Sequence, residues 1–481
     1  MTELPGAKRW WYLAASLALI APCFWQPRLQ AGDLSSHIYN AWLAQLIESG
    51  RAEGLQVVQQ TTNVLFDLLL GGLFRLVGAE WAQRIAVSAS VLTFVWGALA
   101  FAAAVAGRRP WHLLPCIAML AYGWVFHMGF FNFYLSMGLC FWAMSLAWNP
   151  SPRRWAAVGV LFGIAYTAHA LPVIWSVGLL AYAMAARRLA PRRRAILTAG
   201  FVAAMTAVHV LLRLFVVTRW SPSQFALSTG LDQVWVFDGK YYVVLAGLLL
   251  VWALMFLGLV RGRGAREVVG SVPFQLCVVG AAVVMILPES VLLPGFAHSL
   301  SYIAERMSLG VAVCVCALLA AATPRVVERW ALVAVAIVFF GFVYRDERAL
   351  NAFEDRMQDV VSMLHGGERV VSAVEDLELR STTVTHTIDR VCVGRCFSYA
   401  NYEPSTGQFR VRVAGPNPFV VTRHRDAMAL QLGNYEVRES DLPLFTIESD
   451  PKGLLRLREL HPGTRSGVTE LHVLSAFKRR G

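Results

Sequence analysis

A chain of 481 residues that is 57% hydrophobic and only 15% charged lies well below the roughly 25% charge of a soluble globular domain. The deficit is confined to the first two thirds, where charge-poor runs of about 20 residues recur, each long enough to cross a hydrocarbon core. The net charge of +12 does not point to nucleic acid, because the arginines stand in short clusters between apolar runs, the topology signal of a membrane protein and not a basic groove.

Two parts follow: a transmembrane domain over 1–345 and a soluble domain over 346–481, where the composition becomes ordinary. Backbone groups in lipid must be bonded within their own segment, so the apolar runs are helices. Spans are predicted at 10–27, 84–106, 112–128, 131–148, 155–168, 170–186, 195–217, 240–260, 272–291, 304–322 and 330–345, about 11 in all. Lys8 and Arg9 before the first run resemble the start of a signal peptide, with Leu29-Gln30-Ala31 as an open cleavage site; an uncleaved first helix is the preferred reading. Arg108 and Arg109, Arg153 and Arg154, Arg187 to Arg194, Arg261 to Arg266, and Arg325 and Arg329 then mark the cytoplasmic side. The expected location is a bacterial inner (plasma) membrane, with a cytoplasmic N-terminus and an extracytoplasmic, periplasmic C-terminal domain. Segment 62–78 is apolar but interrupted by Asp67 and Arg75. Spanning would move every later arginine cluster to the other side, so it is placed as a helix at the outer interface.

The first outer loop, 28–83, opens with AGDLSSHIYNAWLAQLIESG. Leu34, Ile38, Ala41, Trp42 and Leu46 form an apolar stripe, and Asp33, His37, Asn40, Ala44 and Glu48 the opposite one, the pattern of an amphipathic helix on the membrane surface. Asp33 stands near the headgroup level with His37 one turn on. A carboxylate there is placed to take a proton from a hydroxyl, with the imidazole orienting it or sharing the proton. The same spacing, with Gly32 before and Ser36 after, suits Asp33 as the N-cap of the helix, and spacing alone favours the cap.

Other polar groups stand at the outer ends of the runs. His127 and Asn132 flank the tight turn HMGFFNF; His169 lies in TAHALP; Lys240 precedes the eighth span; Glu289 lies in LPES; His298, Glu305 and Arg306 lie in FAHSLSYIAERMSLG. Ionisable groups near a membrane core tend to mark sites, although a cap or a satisfied hydrogen bond explains any one of them. Arg306 stands apart, because it enters an apolar helix from the outer side. Its partner is a lipid phosphate, which guanidinium binds bidentately, or a carboxylate such as Glu305. Walker, dinucleotide, HExxH, GxSxG and DxD signatures are missing, so a metal-bound nucleotide-sugar diphosphate is not supported. No cofactor is expected; a divalent metal stays open without support.

The architecture resembles the GT-C superfamily of membrane glycosyltransferases: one helix, then a long outer loop opening with an acid (Asp33 in GDLSSH), an interfacial helix pair near 34–49 and 62–78, and GAEWAQRIAVSAS leading into the second span. The resemblance implies a GT-C-like, mainly α, polytopic fold. It implies a polyprenyl-phosphate-linked sugar as donor, membrane lipids around it, and a glycan, lipid or protein acceptor. Asp33 then acts as general base or acceptor orienter. A His-Pro-Pro sequence common in some members is replaced by Gln60-Thr61-Thr62-Asn63. Single displacement implies inversion, with Arg306 first and Lys240 second as the cation holding the phosphate. A transporter or flippase and a non-catalytic scaffold of polysaccharide assembly remain rivals; no internal repeat of the kind transporter halves show is visible.

Residues 346–365 read as an amphipathic helix leaving the membrane. Strands are predicted at 369–374, 409–413, 419–422, 444–448, 454–459 and 471–477, a small α+β domain expected to bind the acceptor or cover the site. Cys392 and Cys396 read as a disulfide. Free thiols, or a metal with His386 and Asp389, are the alternatives, though the spacing matches no common zinc pattern. The other six cysteines, inside apolar runs, read as buried small hydrophobes.

Overall fold

The computed structural model describes residues 5–376, 378–449, 454–471 and 473–474. The chain is mainly helical. In order come α1 (Pro5–Ile20), α2 (Gly32–Glu48), α3 (Leu65–Ala106), α4 (Leu114–Ala121), α5 (Trp124–His127), α6 (Phe131–Trp148), α7 (Pro152–Ala168), α8 (Ala170–Arg187), α9 (Pro191–Phe215), α10 (Tyr242–Arg263), α11 (Ala265–Val269), α12 (Val272–Ile286), α13 (Ile303–Leu319), α14 (Val326–Val361), α15 (Thr387–Cys392), α16 (Tyr402–Thr406) and α17 (His424–Gln431). The sequence sets several starts: proline stands in the first two positions of α7, α9 and α12, where its missing N–H costs nothing. Ser151 and Ser271 cap α7 and α12 by accepting the Arg154 and Phe274 amides.

Five helical stretches are long and apolar enough to cross a membrane: Leu65–Ala106, Ala170–Arg187, Pro191–Phe215, Gly239–Arg263 and Val326–Val361. The apolar helices Trp10–Cys23 and Val272–Ile286 are shorter. Helix α9 has no buried residue, and Ile196, Leu214 and Phe215 on it are at least 70% exposed. Apolar surface of that extent is stable only when lipid or another apolar surface covers it. Where helices do meet, small residues let them approach. A Cβ on Gly97 would stand 2.5 Å from the Gly138 carbonyl, and one on Gly138 would stand 2.8 Å from Phe94, so α3 and α6 pack backbone to backbone.

Two predicted helices change shape. The 112–128 run is not one helix: it breaks between α4 and α5 at Gly123, where a Cβ would collide with the Gln233 carbonyl at 2.7 Å. Helix α3 breaks at Gly78 (φ 77°, ψ 171°), so 65–77 and 79–106 are separate rods, the first of them the helix expected near 62–78. Helix α14 runs without interruption through 345 and 346, so the two expected parts share one helix.

Ten strands are short: β1 (Leu55–Val57), β2 (Val217–Arg219), β3 (Ser290–Leu292), β4 (Arg369–Ser372), β5 (Val374–Glu375), β6 (Phe397–Ser398), β7 (Val411–Val413), β8 (Leu444–Ser449), β9 (Leu455–Glu459) and β10 (Thr469–Glu470). The largest sheet has the order β6-β4-β8-β9, with β4 parallel to both neighbours and β8–β9 antiparallel. Strand β1 of the first long loop pairs antiparallel with β7, Leu55 opposite Val413, which stitches that loop to the C-terminal part. The strand expected at 419–422 does not form, because the Asn417 side chain accepts the Phe419 and Val420 amides at 3.0 and 2.9 Å, diverting them from a ladder. The 471–477 expectation lies mostly outside the described residues.

A buried ion-pair node ties these pieces together. Arg390 on α15 donates to both oxygens of Glu354 on α14 at 2.8 and 2.5 Å and to the Leu29 carbonyl at 2.7 Å, while Gln30 donates to Glu354 at 2.7 Å. Arg390→Met strips Glu354 of its strongest partner in a water-poor setting and is expected to cost about 3 kcal/mol. A thermal melt of the detergent-solubilised protein checks this; an unchanged midpoint refutes it.

Candidate active site

The N-terminus of α2, the turn at 128–133, the stretch 289–306 and three C-terminal segments surround a cavity of about 820 Å³. Its geometry starts from two glycines. The Asp33 amide donates to the Met128 carbonyl at 3.0 Å. Gly129 takes φ +82°, and a Cβ there would stand 2.4 Å from the Asp33 nitrogen; a Cβ on Gly32 would meet the Met128 oxygen at 2.9 Å. Only glycine at both positions lets the turn press against the helix start and hold Asp33 at the cavity wall.

Asp33 is not the N-cap. That position is Ala31, in extended backbone and without a side-chain cap, and Ser36 turns to Glu403 instead, donating at 3.0 Å. Among the described residues nothing donates a hydrogen bond to the Asp33 carboxylate. His386 Nε2 lies 3.8 Å from it, and the Asp33 side chain keeps 26% exposure. Nor is α2 a surface helix. Its polar face is covered by the C-terminal part, where Tyr39 accepts the Ser398 amide at 2.9 Å and Asn40 accepts from Asn401 at 2.9 Å, leaving most of the helix buried.

His37 lines the cavity, but its partner is Asp67, at 2.6 Å from Nδ1. Asp67 also accepts from Asn132 at 2.7 Å, and Asn132 accepts the Phe66 amide at 2.8 Å. Burial alone lowers the imidazole pKa; the charge and hydrogen bond of Asp67 outweigh it and hold His37 at about 9. His37 is therefore a fixed imidazolium at neutral pH, a cation near the cavity and not a proton shuttle for Asp33.

Arg306, in the first turn of α13, lays its guanidinium over the Phe130 ring, 3.6 Å from the centroid. Its Nε is buried without a hydrogen-bond partner, and among the described residues no carboxylate pairs with it. His169 caps α8 by accepting the Leu171 amide at 3.1 Å and shows its ring to the cavity. Glu289 pairs with Arg219 at 3.3 Å at the rim. His298 stacks on Tyr402, ring centroids 5.1 Å apart.

Three expected binding residues lie elsewhere. His127 is fully buried and bonded to Glu347 at 3.3 Å and to the Gly123 carbonyl at 3.2 Å. Lys240 is consumed by Asp346 at 2.6 Å and Asp238 at 3.2 Å. Glu305 does not line the cavity: its backbone carbonyl accepts from Gln233 and Ser308 at 2.9 Å, and its Oε2 is buried without a hydrogen-bond partner. His127 and Lys240 are held by these partners, which removes Lys240 as a second phosphate ligand, and among the described residues Glu305 forms no ion pair with Arg306.

The C-terminal part supplies groups that the sequence reading did not place in the site: His386, Tyr402, Glu403 and His424 all line the cavity. Glu403 is pushed up to about 7 by burial, against the pull of His37. His386 and Asp389 bond each other at 3.0 Å, and Cys392 and Cys396 form a disulfide at the end of α15; the other six cysteines are free. The HTID stretch carries the signal: His386 and Asp389, three positions apart, form a histidine–carboxylate pair and not the metal site that their spacing beside two cysteines leaves open. No family model, curated protein or solved structure matches this chain. What the arrangement offers is a carboxylate free to accept a proton and a guanidinium free to hold an anion, lining one cavity.

Proposed function

We propose that the chain is a membrane glycosyltransferase of the GT-C kind, moving a sugar from a polyprenyl phosphate to an extracytoplasmic glycan, lipid or protein acceptor. About 11 spans, a cytoplasmic N-terminus and a C-terminal part outside a bacterial inner membrane complete the reading. The observation that carries it is that Asp33, whose carboxylate accepts no hydrogen bond among the described residues, and Arg306, whose Nε is buried without a partner, line one cavity of about 820 Å³.

Asp33 takes the proton of an acceptor hydroxyl. The hydroxyl oxygen bonds to the anomeric carbon as the carbon–oxygen bond to phosphate breaks, and the electron pair leaves on the polyprenyl phosphate. Arg306 stabilises the charge that grows there, in a site where water competes little. One displacement inverts the anomeric centre. The polyprenyl tail is already in lipid, so its burial adds little selectivity, and the sugar and phosphate contacts decide specificity.

The test is transfer by the purified protein in liposomes, with mass spectrometry of donor and acceptor. Lipid-linked sugar is expected to disappear as free polyprenyl phosphate and glycosylated acceptor form. Transfer from a nucleotide sugar in carrier-free liposomes overturns the proposal.

A further inference from the structure

Beside Asp33 stands a second ordered unit that the scheme above does not use. His386, at the start of α15, is 8% exposed and lines the cavity. Its Nδ1 donates to Asp389 at 3.0 Å, one turn along the same helix, and the other Asp389 oxygen accepts from Ser398 at 2.5 Å. Asp389 is itself 3% exposed. That fixes the tautomer: Nδ1 is the donor, so Nε2 is the nitrogen left to accept, and Nε2 is the one facing the Asp33 carboxylate at 3.8 Å. A separation of that size is closed by a small side-chain rotation.

Resting on the glycosyltransferase reading, we propose that His386, backed by Asp389, is the proton-accepting partner of Asp33. Neutral His386 presents the Nε2 lone pair to Asp33 and can bond that carboxyl only once it carries the acceptor's proton. The proton that Asp33 removes from the hydroxyl moves from its carboxyl to Nε2, leaving an imidazolium against the Asp389 anion, and then to cavity water. Asp33 is thereby returned to its anionic form, and no electrons or other reactants are needed.

The charged and titratable groups that act on His386 are Asp33 from α2, Asp389 on its own helix, Tyr402 and Glu403 from α16, and His298, with His37 and Arg306 further along the same cavity wall. Burial alone lowers the imidazole pKa; the hydrogen bond and charge of Asp389, with Asp33 and Glu403 behind them, outweigh it and raise it above the ordinary 6.5. A raised pKa makes His386 the better proton acceptor of the pair. It also means that a catalyst needing neutral His386 gains activity as pH rises through that value.

The test is the pH–rate profile in liposomes with a lipid-linked donor. The wild type is expected to show a limb rising with pH above 6.5. His386→Gln is expected to lose that limb and about 10- to 100-fold in kcat, with KM for donor little changed. Asp389→Asn keeps the imidazole but removes the charge that raises its pKa, so the limb moves to lower pH. Wild-type kcat and limb in His386→Gln, or falls in kcat with an unmoved limb in Asp389→Asn, overturn the proposal. Should His386→Gln not fold, the limb shift in Asp389→Asn decides alone. An inactive Asp33→Asn beside an unaffected His386→Gln sinks this inference only, whereas an active Asp33→Asn sinks the function it rests on.

Discussion

Asp33→Asn is expected to lower kcat for sugar transfer by about two to four powers of ten, the usual worth of a positioned general base, with donor affinity and thermal midpoint close to wild type. The near-constancy of stability is the sharper half of this expectation. An N-cap aspartate loses about 1 kcal/mol when its oxygen is removed, but Asp33 caps nothing: Ala31 holds that position, and the carboxylate accepts no hydrogen bond among the described residues. Asparagine keeps the shape and the backbone bond to Met128, so the fold loses nothing it was using. Asp33→Glu shifts the carboxylate by a methylene and is expected to recover part of the rate. Kinetics and melting on the same samples separate the roles: a fall in midpoint with intact turnover assigns Asp33 to structure, and intact values of both leave the site without a base.

Asp33 was legible in sequence because its signal is local: an acid just past an apolar run, at the head of a helical pattern. Arg306 was legible for the same reason, yet His127 and Lys240 carried the same signal and have other duties. What separates them is distance along the chain. His127 meets Glu347, 220 positions away, and Lys240 meets Asp346, 106 positions away; no local pattern tells a residue whose partner lies that far off from one with none. The C-terminal wall was hidden in the same way, since Ser36 and Glu403 touch across 367 positions. The polar stripe of α2 was read correctly as a stripe and wrongly as wet, because helical periodicity distinguishes two faces without saying whether water or protein covers the second. Likewise the apolar 112–128 run announced burial; that Gly123 breaks it follows from Gln233, in the 3-10 turn Leu231–Val234 more than a hundred positions on.

Arg306→Met is expected to move activity and stability in opposite directions. The guanidinium lies on the Phe130 ring with its Nε buried and unpartnered, so the protein carries a partly desolvated charge that, among the described residues, makes no ion pair. Such a group costs free energy until an anion discharges it. Methionine fills similar volume over the same ring without the charge, and the thermal midpoint of the ligand-free protein should rise. Transfer should fall by about 10²- to 10³-fold in kcat/KM, the scale for losing one donor to a developing oxyanion, because nothing else lining the cavity among the described residues is an unpaired guanidinium: Arg219 is engaged by Glu289. Arg306→Lys keeps the charge as a point and loses the planar fork, so an intermediate rate is expected. Added polyprenyl phosphate should raise the midpoint of the wild type by ligand linkage and leave that of Arg306→Met unmoved. A methionine variant that melts lower and still turns over at the wild-type rate would assign Arg306 to packing and place the phosphate at another wall of the cavity.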